Sequence, residues 1–443
     1  MSLKRDILTT GIVKVFRRIV LGFASTLILT RWLGPEGLGL YTAFMVVPMI
    51  LQSLGELGIR QSAAYMTGKK LAGETRIAGA LASLWLLSSV FSIVLVVAAY
   101  CVQGMHKQGL LYVLIGMSLV PAGLVTRYAN GIALGKRWIS RMNIGETVQA
   151  VLRVGLFAAL LIWLRTGASG ALVVEVLAAL VPGLLMLYWL RKDIKVSFLP
   201  LWDKSLIYSL MTHGFKFAIA IFVLTLNYRA SILILQRFVG HSDIGQFGLG
   251  VRIAELIWMI PAAVGMVTFS HSTGANDSKR FAQTASQIMR LTLLVCGSCA
   301  VCVGVFCKPL VVLLFGSEYL PSVPVIRVML PGCVAAVAFK VLNADLAGRG
   351  YPLAAMWVYL GALGANVLGS VMLIPVYGVT GAAVASSISY VAGAAVYAWV
   401  YARMSDMHLR EVFCRPVNDW RAVMAMFAVL GRNLQRKGGR CLR

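Results

Sequence analysis

Stretches of predominantly apolar residues recur from one end of this 443-residue chain to the other, and a run of about 20 such residues is enough to cross a bilayer as a helix. Spans read at roughly 10–30, 40–58, 78–100, 109–130, 146–164 and 169–190. A second six read at roughly 214–236, 245–269, 288–307, 325–347, 354–375 and 379–402. Only 13% of the residues are charged, whereas a soluble domain has about 25%, so the chain has too little polar surface to face water all round. The expectation is an all-α polytopic membrane protein of about twelve transmembrane helices. Lys14, Arg17 and Arg18 interrupt the first stretch, which has no small-residue cleavage site, so it does not read as a removable signal peptide.

The formal net charge of +25 is not gathered into one patch. Basic residues collect in alternate loops: Arg60, Lys69, Lys70 and Arg76; Lys136, Arg137 and Arg141; Arg191, Lys192, Lys195 and Lys204; Lys279 and Arg280; Arg349. The intervening loops hold little more than Arg31, Lys107, Arg165, Arg237 and Lys308. This is the positive-inside pattern, and it puts both termini on the cytoplasmic side with anionic lipid headgroups rather than nucleic acid as the partner. The basic tail over 403–443 contains a stretch, 419–431, that suits an amphipathic surface helix.

The chain repeats itself. Arg31-Trp-Leu-Gly34 followed by Gly39-Leu-Tyr41 returns as Arg237-Phe-Val-Gly240 followed by Gly245-Gln-Phe247. Asn130 to Lys136 is similar to Asn343 to Arg349, and Gly167-Ala-Ser-Gly170-Ala opens the sixth span as Gly378-Val-Thr-Gly381-Ala opens the twelfth. Three collinear matches argue for a six-plus-six duplication. An even number of spans keeps both halves in the same orientation, with the substrate path between them. The expected division is an N-terminal six-helix bundle at 1–190, a cytoplasmic linker at 191–210, a C-terminal bundle at 211–402 and the tail at 403–443.

Charges inside spans carry the functional signal, because each costs at least ~2.5–3.5 kcal/mol at the bilayer centre on insertion scales. Lys14 and Arg18 are four apart on one helix face, with Arg17 beside them; Arg153, Arg229, Arg252 and Lys340 lie in later spans. Arg252 and Glu255, three apart, are placed to neutralise each other. Lys216, Arg237 and Arg327 lie near helix ends, where they snorkel. The candidate substrate-binding set is Lys14, Arg17, Arg18, Arg153, Arg229 and Arg252, a cationic lining suited to an anion such as phosphate. Glu56, Glu255 and Asp345 are the candidate ion-coupling acids. Trp85, Trp163, Trp258, Trp357 and Tyr228 fit interfacial belts or packing as well as sugar stacking. Cys296, Cys299, Cys302 and Cys307 share one apolar run with no His or acid beside them, so neither metal, cofactor nor disulfide framework is expected.

The loop RWLGPEGLGLY (31–41) resembles that of the Wzx-type polysaccharide flippases of the multidrug/oligosaccharidyl-lipid/polysaccharide transporter superfamily. LNYRASILILQRFVGHSDIGQFGLGVRIAEL (226–256) followed by Pro261, LLFGSEYLPSVPVIRVMLPG (313–332) and YGVTGAA (377–383) extend the resemblance over both halves. Ala230 departs from it, where relatives often carry an acid. The resemblance implies a V-shaped, MATE-like inner-membrane transporter that works by alternating access. It implies an undecaprenyl-pyrophosphate-linked oligosaccharide as substrate, moved from the cytoplasmic to the periplasmic leaflet. Membrane lipids, a polysaccharide polymerase and other assembly proteins are the further partners it implies.

A cation-coupled multidrug exporter of the same superfamily is the nearest alternative, although buried bases outnumber buried acids here. A membrane-embedded polymerase or transferase would need a large outer loop, a paired-acid motif or an intramembrane His. The outer loops are short and the five histidines fall in or near loops, so no enzyme is expected. No Gly-Lys-Ser/Thr phosphate loop is present either.

Overall fold

A computed structural model describes residues 3–272, 278–351 and 354–414, and the side chains of residues 3–19, 216, 217, 270 and 278 lie outside that description. Among the described residues all regular structure is helical. The helices are α1 (Leu3–Gly55), α2 (Ile59–Gly68), α3 (Glu74–Val102), α4 (Leu110–Gly135), α5 (Ile139–Phe157), α6 (Gly167–Ile194) and α7 (Lys204–Leu235). They continue as α8 (His241–Glu255), α9 (Met259–Ser272), α10 (Ser278–Leu314), α11 (Ser322–Gly348), α12 (Ala354–Met404) and α13 (Leu409–Phe413).

Ten helical stretches are long and apolar enough to cross a membrane. Two of them, α1 and α12, are each two expected spans joined without a loop. The joint in α1 is Gly34 at φ 64 and ψ 178, followed by Pro35. The joint in α12 is Gly378 at φ 55 and ψ −130, three residues after Pro375. Positive φ is open to glycine at little cost, and proline cannot donate to the preceding turn, so each helix bends without stopping. Counted on either side of these bends the spans number twelve. Gly167, the repeat partner of Gly378, also sits at positive φ, 66.

Other boundaries differ from the sequence reading. The second span breaks at Leu57 (φ 48) and Gly58 (φ 62) and continues as α2. The eighth span is α8 and α9, joined by a tight turn over Leu256–Trp258. The expected linker is shorter, because α6 runs on to Ile194 and α7 begins at Lys204. The fifth span widens into a π turn at Ala158–Trp163. The surface stretch 419–431 lies outside the described residues.

In the N-terminal half α4 packs against α3 and α6, and α5 against α6. In the C-terminal half α11 packs against α9, α10 and α12. The halves meet through α1 against α7 and α8, and α2 against α7. Apolar residues remain exposed on the outside: Leu86, Leu87, Val90, Phe91 and Val94 form one stripe along α3. Such a stripe is a liability in water and the expected surface against lipid. Exposed Trp163 and Trp357 belong to the same outer shell.

Two glycine crossings close the halves on each other. At the charge-poor end, α1 meets α8: a Cβ on Gly39 would lie 1.6 Å from the His241 carbonyl oxygen, and one on Gly245 would lie 2.0 Å from that of Pro35. Gly39 and Gly245 are the same position in the two copies of the repeat. At the basic end, a Cβ on Gly58 would lie 2.0 Å from the carbonyl oxygen of Gly214.

Candidate functional site

Between the two crossings lies a cavity of about 250 Å³. Helical periodicity builds its wall. Gly22, Ser25, Thr26 and Leu29 face it from the first arm of α1, and Tyr41, Thr42, Met45 and Met49 from the second. Spacings of three, four and seven keep one face of a helix turned to one side. Arg153 comes from α5, Glu175 from α6, Arg229 from α7 and Arg252 from α8. Both halves contribute.

Among the described residues the charged side chains on the wall are three guanidiniums and one carboxylate. Glu175, 7% exposed, uses both of its oxygens: Tyr41 Oη donates to one at 2.9 Å, and Arg153 Nη2 lies 3.1 Å from the other. The Arg252 guanidinium lies 5.4 Å from the centre of the Tyr41 ring, a cation–π contact that joins the halves across the cavity. Arg229 and Arg252 have no carboxylate at ion-pair distance among the described residues. A phosphate oxygen is a natural partner for such guanidiniums.

Arg153, Arg229 and Arg252 of the candidate binding set thus stand on one wall. Lys14, Arg17 and Arg18 belong to α1, and their side chains lie outside the described residues. Arg252 and Glu255 do not form an ion pair. Glu255 lies in the combined field of Arg229, Lys340 and Arg252, and its Oε1 is buried without a hydrogen-bond partner. Glu56 is held by Arg127 and by Arg60 at 3.2 Å, away from the cavity lining. Asp345 is fully buried and accepts from Tyr401 Oη at 2.6 Å, Ser272 Oγ at 2.7 Å and Arg349 Nη2 at 2.5 Å.

Lys340 is held by aromatic faces. Its Nζ lies 4.2 Å from the Trp258 ring centre and 5.2 Å from that of Tyr228, and it donates to Tyr228 Oη at 3.1 Å. Deeper in the C-terminal half runs a neutral polar seam. Ser231 Oγ donates to Asn366 Oδ1 at 2.8 Å and meets Ser386 Oγ at 2.8 Å, and Asn366 Nδ2 donates to the Asn227 carbonyl at 2.7 Å.

Each end of the cavity is fastened by polar contacts beside its glycine crossing. At the charge-poor end Arg31 donates from Nε and Nη2 to the carbonyls of Leu314 and Leu313, both at 2.7 Å. Those carbonyls end α10, where no intrahelical donor remains and a cation is favoured. Tyr319 Oη donates to the Thr30 carbonyl at 3.0 Å. At the basic end the Tyr65 and His213 rings stack at 5.6 Å. There Asp203 caps α7 by accepting from the Leu206 amide at 3.2 Å, and Arg76 lies 2.5 Å from its carboxylate. The hydrogen bond from Arg76 pulls the Asp203 carboxyl down to about 2, helped by Ser205 and the Leu206 amide.

Tyr41 was not legible as a functional residue, since a tyrosine in an apolar span carries no distinguishing signal. Glu175 is an acid within the sixth span, but its partners come from other helices, and no local spacing announces them.

The family model for "polysaccharide biosynthesis protein" matches residues 3–269, and the MatE model matches residues 217–372. A Shigella flexneri protein described as a candidate O-antigen transporter is 21% identical over 403 residues, covering 86% of this chain and 93% of its own. Two solved structures share the fold. The lipid II flippase MurJ in an inward closed conformation superposes with a TM-score of 0.74 at 12% identity, over 95% of this chain and 93% of that one. A multidrug resistance MATE family transporter of the MOP superfamily, inward-facing, gives 0.68 at 16% identity, over 89% and 96%.

Proposed function

The chain belongs to the polysaccharide biosynthesis protein family, and on that premise we propose that it is a flippase for an undecaprenyl-pyrophosphate-linked oligosaccharide. In this reading it sits in the inner membrane with both termini cytoplasmic. The lipid-linked substrate passes from the cytoplasmic to the periplasmic leaflet, where a polymerase and other assembly proteins take it up. The names of the Shigella relative and of MurJ support a lipid-linked glycan as cargo.

The observation that carries the proposal is the cavity between the halves, with Arg153, Arg229 and Arg252 on its wall. A diphosphate is the part of such a substrate that needs guanidiniums, because it accepts paired hydrogen bonds in a desolvated site. A cavity of about 250 Å³ falls below the ~300–1,000 Å³ of drug-sized sites, so in this reading it accommodates the headgroup and not the glycan. Transport therefore requires one end to open at a time. Gly39–Gly245 and Arg31 form the gate at the charge-poor, periplasmic end. Gly58–Gly214 and the Tyr65–His213 stack form the gate at the basic, cytoplasmic end. Lys14, Arg17 and Arg18 belong to the proposed binding set on sequence grounds, their side chains lying outside the described residues.

Glu56, ion-paired to Arg60 and Arg127, and Asp345, enclosed by Tyr401, Ser272 and Arg349, act in this reading as struts within their own halves. Glu255 has a free buried oxygen beside the cavity arginines. It is the acid on which the alternative, a cation-coupled drug exporter, turns, and the MatE match over 217–372 includes it. Deleting the gene decides between the two. Accumulation of lipid-linked oligosaccharide on the cytoplasmic side with loss of surface glycan is the expected result. Normal glycan export together with new sensitivity to cationic drugs would overturn the flippase reading in favour of the exporter.

A further inference from the structure

A cavity that presents guanidiniums to an anion must also let the anion go. Among the described residues the wall carries one carboxylate beside three arginines, and a carboxylate repels the same ligand the arginines attract. Its position gives it a use. Glu175 is nearly buried on α6, fixed at one oxygen by Tyr41 Oη at 2.9 Å, and presents the other to Arg153 Nη2 at 3.1 Å. A carboxylate meets a guanidinium much as a phosphate does.

We propose that Glu175 is a resident counter-anion that occupies Arg153 while the cavity is empty and yields that arginine to the substrate's diphosphate. This rests on the reading of the cavity as a diphosphate site. Three features support the exchange. The Arg153 side chain is 34% exposed and so within reach of a ligand entering the cavity. Its Nε is buried without a hydrogen-bond partner, leaving donor capacity that the Glu175 contact does not use. Tyr41 links the pair to the opposite half, because Arg252 rests over its ring. A ligand that draws Arg252 away thereby loosens one of the groups that hold Glu175. The charged side chains that face Glu175 are Arg153 from α5 and, across the cavity, Arg252 and Arg229. The carboxylate sets affinity: without it binding is tighter and release slower.

The test is binding of inorganic pyrophosphate to the full-length chain in nanodiscs, followed by calorimetry at neutral pH. Glu175→Gln is expected to lower Kd by about tenfold, the scale on which a single partly desolvated charge acts. Glu175→Ala should do the same, which separates loss of charge from any effect of the new amide. Arg153→Gln should weaken binding, and in that background Glu175→Gln should no longer tighten it. A chain that binds pyrophosphate in an Arg229-dependent manner, yet shows unchanged or weaker binding with both Glu175 variants, overturns the counter-anion and leaves the cavity reading standing. Absence of pyrophosphate binding by the unaltered chain overturns the cavity reading itself and this proposal with it.

Discussion

The two halves share a backbone plan but handle charge differently. Their matching glycines, Gly39 and Gly245, meet at the interface, and Gly167 and Gly378 open corresponding spans at positive φ. Several cations of the N-terminal half pair with carboxylates, among them Arg127 with Glu56, Lys136 with Glu74, Arg141 with Asp193 and Arg153 with Glu175, and in the C-terminal half Arg349 pairs with Asp345. In the C-terminal half Arg229, Arg252 and Lys340 have no such partner among the described residues, and Lys340 rests instead on the rings of Trp258 and Tyr228. Its buried seam of Asn227, Ser231, Asn366 and Ser386 is neutral. The likeness is partial: Gly39 meets Gly245 and Gly167 matches Gly378, but the counterpart of the bend at Gly34 (φ 64) is Gly240 at φ −75. The charges differ further, and the half with unpaired guanidiniums is the better equipped to take up an anion.

The largest expected effect tests that asymmetry directly. Arg229→Gln and Arg252→Gln should each reduce delivery of lipid-linked oligosaccharide by more than about tenfold, the cost of losing a desolvated charge-assisted contact. Arg153→Gln should cost only a few-fold, since Glu175 already occupies that side chain. The measurement is periplasmic glycan per unit of transporter in membranes. Equal losses from all three would break the comparison.

Stability should follow the opposite order of charge content. Asp345 is the fully enclosed acid of the C-terminal half, and Asp345→Asn leaves Arg349 short of its buried partner, at a cost of about 3–5 kcal/mol. Glu56→Gln should cost about 1 kcal/mol or less, because its partners Arg60 and Arg127 are 39% and 36% exposed and solvent screens them. Thermal unfolding of the purified variants in detergent reads both. A larger loss for Glu56→Gln would mean that the N-terminal ion pairs bear more of the fold than their exposure implies.

The smallest effect belongs to the connection between the halves. The Asp203 carboxyl is held down at about 2 by Arg76 and its cap contacts. Its contribution is therefore complete above the ordinary carboxylate range and fades only as pH falls from about 4 toward 2. Asp203→Asn should therefore lower stability near neutrality and flatten its loss between about pH 4 and 2, so that the variant and the unaltered chain converge in acid. A deficit that persists undiminished at about pH 2 would point to the helix cap rather than the charge.

Much of this architecture was legible in the sequence because a membrane span is a severe constraint: its length and apolarity are written in consecutive residues. The arginines of the cavity were legible for the same reason, each being conspicuous within a lipid-length run. The bend at Gly34 read as a loop because glycine and proline signal a break in either case, and only the packing of both arms decides that the helix resumes. The Tyr41–Glu175–Arg153 network was hidden, since its members come from three helices and 134 residues separate the tyrosine from the acid. The repeat aligned Gly39 with Gly245, but likeness between two positions does not disclose that they touch.

The glycine crossings also bear on the energetics of the cell. A membrane stores about 2.3 kcal/mol per elementary charge for each 100 mV across it, and any protein that opens a polar path through the bilayer threatens to discharge that store. Side chains meeting at a seam leave rotamer-dependent gaps through which water and protons thread. At both crossings of this protein main chain lies against main chain, with no side chain between. In the proposed cycle, a closure made at these crossings would be backbone against backbone, which leaves less room for such a leak than a seam of side chains.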